Sequence, residues 1–491
     1  MFVIWSEFNN KEILTMLFKT RFTNSLNSFA LIAFVSSIFS TGFCFSEELK
    51  VPDNKPIQAK PAVANAQIRY FDSIDATQLI LGNGMTVCLK PTDSDTDEIF
   101  FKLVALGGYG SLSSKNFFSG EMADKIAWES GMGGMTSDQI SVYLYENSLE
   151  FVLEISPFSR SIVGEGQEES IRSFLKGVRM VFTEQQFTEE GFKAAKLLTK
   201  DIIGKLSHDN EHVYEEAFRR INTQNFPALR PSQIENFEKV KFDVARDFFK
   251  RSFSDPSDFI LVIAGNFDVP TVIQQVEKYL GAISKPAEGT RLKKTFSVPF
   301  PPGITETTIK LPNQTSCLTH VTFPLKIDVN DLNIDEIAFM CQIIEARLRQ
   351  VITHKMDLSY GVDVSYEFPV YPFLNNPWVS IRFRCEEKFI SQLKGIVLTE
   401  MARLQSQGVT QEEIEAIKKL EMGSREFWLK DDFYWVSMLS NYYLWGWNPE
   451  KIDAKNTSIN KINAAGINAL LKKAISLSNF SIVTATGTSA G

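Results

Sequence analysis

The chain has 491 residues, 44% hydrophobic and 22% charged, with a net charge of -8 at pH 7. This length admits two or three domains, and the composition is that of a globular protein, which excludes disordered and fibrous classes. The acidic balance and the absence of a basic stripe exclude a general nucleic-acid binder, because phosphate contacts need clustered Lys and Arg.

Lys19 and Arg21 precede the apolar run "FALIAFVSSIF", and the small, polar "STGFCFSEE" follows it. Basic, apolar, then small residues is the order of a secretory signal peptide, and the run is short for a transmembrane helix. Residues 1–46 are therefore read as a signal peptide cleaved after Ser46, with Met16 as a second possible start and an uncleaved anchor as the alternative. The chain is expected to be secreted or periplasmic, with no stable membrane span after cleavage. Residues 47–75 are rich in Pro, Ala and Lys without apolar period and read as a flexible tether. Beyond it lie Cys88, Cys317, Cys341 and Cys385, with no C-x-x-C or finger spacing. They are expected to be small buried hydrophobes, and spacing assigns no disulfide.

Structure begins near Ala76. "TQLILGNGMTVCLKP" sets two apolar runs around Asn83-Gly84, a hairpin signal because both residues tolerate positive φ. "EIFFKLVALGG" predicts a further strand. Helical periodicity follows at Met122–Trp128, Ser170–Phe182, Glu189–Leu206, Val213–Ile221 and Val240–Phe253. "DFILVIAGNF" predicts a buried strand, and "TVIQQVEKYLGAI" a helix with Gly281 at its C-terminal cap. Residues 286–302 are again rich in Pro and Lys and read as a linker, giving a first domain over 76–285 and a second over 303–491.

The second half replays the first. "SFLKGVRMVF" at 173 is echoed by "SQLKGIVLTEM" at 391, "FTEEGFKAAKLL" at 187 by "VTQEEIEAIKKL" at 409, and "DPSDFILVIAG" at 255 by "SLSNFSIVTATG" at 476. Ordered recurrence points to a duplicated domain. Without regular βαβ alternation, each copy is predicted as α+β, a mostly antiparallel sheet with helices on one face. "REFWLKDDFYWVSMLSNYYLWGW" is dense in aromatics, part expected in the core and the surplus as an exposed patch for a partner chain.

"SHDNEHVYEE" contains H-x-x-E-H, so His208, Glu211 and His212 are candidates for two zinc ligands and a general base. Asp209 or Asn210, however, is a good N-cap for the helix that follows. His208 then precedes the helix, and the two histidines are not stacked one turn apart as the motif requires. A third protein ligand is also needed. A helix junction is the favoured reading and a zinc site the alternative. His320 in "SCLTHVTFPL" reads as a strand residue.

"LGNGMTVCLKPTDSDTDEIFFKLVALGG", "FTEEGF", "FKRSFSDPSDFILVIAGNFD" and "VEKYLGAIS" together resemble peptidase family M16, and most nearly the C-terminal half of its long bacterial members. The likeness covers about 75 to 488. It implies two homologous M16-type α+β domains forming half of a clamshell whose other half carries zinc. Carried onto "SGEMADKIAWESG", the family's zinc motif falls on Met122, Lys125 and Ile126. Met and Ile offer no N or O ligand, and Lys brings a cation to a cation site. "EARLRQVITHKMDLSYGVDVSY" resembles the segment that supplies an Arg and a Tyr to substrate. Tyr360 matches the Tyr, while the Arg position falls on Thr353, with His354 beside it and Arg349 one turn earlier. A Thr cannot supply the cation that stabilises an oxyanion. Tyr360, Arg349 and His354 remain candidate substrate contacts, beside the plainer reading that Tyr360 opens a strand.

The resemblance thus predicts a non-catalytic M16 half, pairing with a separate zinc-bearing chain around a peptide substrate and holding no cofactor itself. The alternatives are an unconventional zinc endopeptidase using His208, Glu211 and His212, and a stand-alone peptide-binding envelope protein.

Overall fold

The computed structural model describes residues 67–487, apart from positions 95, 231–232, 291, 293–294, 331–332, 357–360 and 453–454. The expected signal peptide and the tether as far as residue 66 lie outside the described residues.

The first sheet is built from β1 (Gln67–Phe71), β2 (Ala76–Ile80), β3 (Thr86–Pro91), β4 (Ile99–Leu106), β5 (Glu150–Ile155), β6 (Ser159–Gly166) and β7 (Ile260–Gly265). Its order is β1-β2-β3-β7-β4-β6-β5, with β3 and β7 parallel and every other neighbour antiparallel. The predicted Asn-Gly turn joins β2 to β3. Gly84 has φ +90, a conformation glycine adopts without a Cβ clash. The buried Asn83 amide donates to Leu280 O and Ile283 O, and its Oδ1 accepts from Met85 N, so the turn is bolted to a later helix end.

The helices of this half are α1 (Phe117–Glu121), α2 (Ala123–Ser130), α3 (Ser137–Glu146), α4 (Ser170–Thr183), α5 (Glu189–Leu206), α6 (Asn210–Asn222), α7 (Phe242–Ser252) and α8 (Val269–Tyr279). The predicted Met122–Trp128 helix is real but broken: Met122 separates α1 from α2. The α3 helix was not predicted, although Thr136 and Gln139 form a capping box before it. One face of the sheet packs against α2, α4, α7 and α8, around Phe101, Leu103, Ile126, Phe174, Phe248 and Val276. Every residue of β4 up to Ala105 is buried. A strand apolar on both sides must be covered on both faces.

The second sheet holds β8 (Ile304–Leu311), β9 (Cys317–Pro324), β10 (Val362–Glu367), β11 (Trp378–Cys385) and β12 (Phe480–Gly487). Its order is β10-β11-β9-β12-β8, again with one parallel pair, β8 and β12. Its helices are α9 (Ile334–Met356), α10 (Ile390–Gln407), α11 (Gln411–Trp428), α12 (Asp432–Trp445), α13 (Lys455–Lys461) and α14 (Ala464–Ala474). Residues of α9, α10 and α14 bury one sheet face around Val321, Ile344, Ile381, Val397 and Leu471.

The remaining face of each sheet is covered by a helix from the other half. The α12 helix lies on β4 and β7, with the Phe433 ring edge-on to Phe100 at 5.9 Å. The α6 helix lies on the second sheet, where Tyr214 and Phe218 pack with Leu318, Trp378 and Val483. The exchange follows the duplicated sequence: Thr188 caps α5 and Asp209 caps α6, while Thr410 caps α11 and Asp431 caps α12 at the same spacing. The aromatic segment is therefore mostly interior. Phe433, Tyr434, Trp435, Leu439 and Tyr442 are buried, as a helix apolar all round must be. Phe427, on α11, is an exposed member, at 55%.

The Pro/Lys-rich segment read as a linker is packed rather than loose. Leu292, Phe296 and Val298 are buried, and Phe296 meets Phe158 at 4.7 Å. Thr290 Oγ1 donates to Asp258 at 2.6 Å, and Asp258 accepts from the fully buried Arg160.

Candidate functional site

The H-x-x-E-H string sits at the α5–α6 junction. Asp209 is the N-cap of α6, its carboxylate accepting from His212 N at 2.7 Å. His208 lies in the turn that ends α5, with its N–H bonded to Lys205 O. The string is thus split by a cap, and His208 and His212 do not share a helical face. His212 Nε2 lies 3.1 Å from Glu216 Oε1, one turn along α6. Glu211 turns the other way, its two carboxylate oxygens taken one each by Arg382 and Arg384 of β11. Both carboxylate oxygens are thus already engaged by arginines. Among the described residues no group of three or more His, Cys, Asp or Glu is placed to hold a metal ion. The donor set at 208–212 does not fit zinc.

The helix instead carries a polar seam against the second sheet. Tyr214, fully buried, donates from Oη to Val483 O at 2.9 Å and lies 2.7 Å from His320 Nδ1. Its ring stacks on His320 at 5.4 Å. Burial, helped by Arg382 and Arg384, pushes the His320 imidazole down to about 3, so it is neutral at pH 7. Burial pushes the Glu215 carboxyl up to about 7, with Arg382 opposing and Glu367 adding to the rise. The sequence reading placed His320 on a strand but gave no sign of its partner, because the contact spans more than a hundred residues.

The segment resembling the substrate Arg/Tyr pair lies where α9 leads into β10, an edge strand. Tyr360 lies outside the described residues, as does the side chain of His354, and Thr353 is exposed. The Arg349 guanidinium lies 2.9 Å from Glu345 and 3.7 Å from Asp363. Glu345 also accepts from Val364 N at 3.1 Å, occupying a peptide N–H of the edge strand. The first half repeats this device. Asp124, on α2, accepts from Ile155 N at 3.0 Å at the end of edge strand β5. Both edge-capping carboxylates were missed, because the sequence shows an acid near a helix but not which strand it reaches.

The residues onto which the resemblance carries the family's zinc motif lie on and just before α2. Met122 and Ile126 are 1% and 0% exposed and belong to the core of the first half. Lys125 Nζ donates to Glu121 O at 3.0 Å and lies 3.4 Å from Asp124. Burial lowers its basicity, but Asp124, Glu121 and Glu154 outweigh it and hold the ammonium charged. Two apolar core residues and a paired cation leave no zinc donor there.

Residues 239–421 match the model of the peptidase M16 inactive domain. The chain is 27% identical over 418 residues to the "Zinc protease PQQL-like" protein of Arabidopsis thaliana, a match covering 81% of this chain and 40% of that protein. Its fold superposes on the periplasmic protease PqqL from Escherichia coli with a TM-score of 0.72 at 14% identity, covering 98% of this chain and 51% of that one. It also superposes on a peptidase M16 inactive domain from Pseudomonas fluorescens, with a TM-score of 0.68 at 13% identity, over 87% of this chain and 98% of that one. The chain thus spans less than half the length of the Arabidopsis relative. Residues 239–421 thus match the peptidase M16 inactive domain, and the chain as a whole has the fold of M16 proteins and is similar in sequence to relatives named as zinc proteases.

Proposed function

We propose that this chain is a non-catalytic M16 half, which closes a peptide chamber against a zinc-bearing M16 chain and contributes wall surface rather than metal chemistry. The observation that carries the reading is the α2 region. Where the family's ligands and base belong stand Met122, Lys125 and Ile126, two of them sealed in the core and the third tied to Asp124. The inactive-domain match over residues 239–421 supports it, as do relatives that extend well beyond the span of this chain. Substrate contact is assigned to Arg349, supplying a cation once released from Glu345 and Asp363, with Tyr360 and His354 carried over from the resemblance alone. Export to the periplasm or beyond is supported by the basic–apolar–small order of residues 19–46. No helix among the described residues is long and apolar enough to cross a membrane.

The test is hydrolysis of an unstructured fluorogenic peptide by the purified chain, alone and after addition of a co-expressed zinc-bearing M16 chain. Chelator-sensitive cleavage is expected only in the mixture, and cleavage by the chain alone rejects the proposal.

A further inference from the structure

Cys317 is the first residue of β9 and Cys385 the last of β11, and the ladder sets them directly opposite one another. Opposed residues on antiparallel strands point to the same face of the sheet. Here that face is the helix-covered one, since Phe383 and Cys385 both belong to its core. The two thiols are 4% and 2% exposed and both are free. Burial raises each of them, and Cys317 adds to the rise at Cys385.

The register decides whether a bond can form. Leu325 N–H donates to Pro377 O one step beyond the ladder. Stepping back in twos places Cys317 and Cys385 in the hydrogen-bonded set of opposed pairs. Such pairs have Cα atoms about 5.5 Å apart, inside the roughly 4.4–6.8 Å that disulfides span. Their Cβ atoms lie up to about 5.5 Å apart on average, so closure asks for an approach of about 1 Å. The position allows this, because the β9–β11 ladder does not continue past these residues. Among the described residues the other buried thiols have no such partner: Cys88 faces Gln78 and Val262, and Cys341 lies on α9.

We propose that Cys317 and Cys385 are an oxidative modification site, closing an intramolecular disulfide that staples β11 to β9. The oxidant is a disulfide-exchange carrier, small or protein. A cysteine thiolate attacks the carrier disulfide, one carrier thiol leaves, and the second cysteine displaces the other. The net change is two protons and two electrons from the cysteines to the carrier, one Sγ–Sγ bond formed and one carrier disulfide broken. Burial means that oxidation accompanies folding or local opening, and that the finished bond is shielded from reduction. The staple fixes the strand that carries Arg382 and Arg384 and against which edge strand β10 is paired.

The test uses the full chain, reduced and refolded in a glutathione redox buffer, then quenched in acid. Free thiols take one mass tag under denaturant; after reduction, the remainder take a second tag. The expected result is the second tag confined to Cys317 and Cys385, a 317–385 linked peptide before reduction, and the first tag on Cys88, Cys341 and, where the N-terminal segment is retained, Cys44. Any other distribution, a glutathione adduct on either residue included, overturns the proposal. A second measurement is the Tm of the oxidised wild type with and without reductant. Reductant should lower it by a few degrees and leave Cys317→Ser unmoved; an equal shift in Cys317→Ser overturns the assignment.

Discussion

Replacing Glu215 with Gln should change how stability depends on pH, in a direction the structure fixes. In the folded chain the Glu215 carboxyl is raised from its ordinary 4.5 to about 7 by burial, so between those values the folded state holds a proton that the unfolded state has lost. Stability then falls as pH rises through this window. His320 works in the opposite direction. Its imidazole is lowered from 6.5 to about 3, so from there to 6.5 the unfolded state binds the extra proton and stability rises with pH. Each group contributes at most about 1.4 kcal/mol per pH unit, and between about 4.5 and 6.5 the two nearly cancel. The full Glu215 shift corresponds to about 3 kcal/mol; partial solvent access to its side chain reduces this to on the order of 1–3 kcal/mol. The assay is urea denaturation followed by tryptophan fluorescence, at half-unit steps from pH 4.5 to 7.5. The stability of Glu215→Gln relative to wild type should climb by that amount across the series and level off above about pH 7. A difference that stays constant with pH would refute the placement of Glu215 in the seam between α6 and β11.

Other expectations follow from the exchange of helices and from the caps. Tyr214→Phe strands His320 Nδ1 in the interior and should cost about 1–3 kcal/mol in the same denaturation assay. Phe433→Ala empties the contact between α12 and the first sheet and should cost about 3–5 kcal/mol; a cost near zero would show that α12 does not hold that face. Asp209→Ala removes the cap that splits the H-x-x-E-H string and should lower stability by about 1 kcal/mol, with no change in bound metal by mass spectrometry.

Much of this fold was legible because local patterns and long-range structure agree. Asn83-Gly84 needs the turn it forms, the apolar "ILVIAG" run needs a strand covered on both faces, and Thr188, Thr410, Asp209 and Asp431 are caps wherever the chain goes afterwards. What the sequence hid is which surface each element meets. The α12 aromatics are equally consistent with an exposed patch and with burial, and only their landing on β4 and β7 decides between them. His320 and Tyr214 are separated by 106 positions, and Glu345 reaches Val364 only because α9 folds back beside the strand it precedes. Cys317 and Cys385 had no informative spacing, and β-sheet register alone makes them a pair. The H-x-x-E-H string shows the reverse limit, since a motif of short-range spacing says nothing once a cap falls inside it.

The proposed function requires that this M16-like chain carry no catalytic metal of its own. Zinc content per chain, measured on protein purified without chelator and paired with hydrolysis of an unstructured peptide, tests it most directly. Far less than one zinc per chain is expected, unchanged in His212→Ala, with no chelator-sensitive cleavage. One zinc per chain, lost together with activity in His212→Ala, would contradict it.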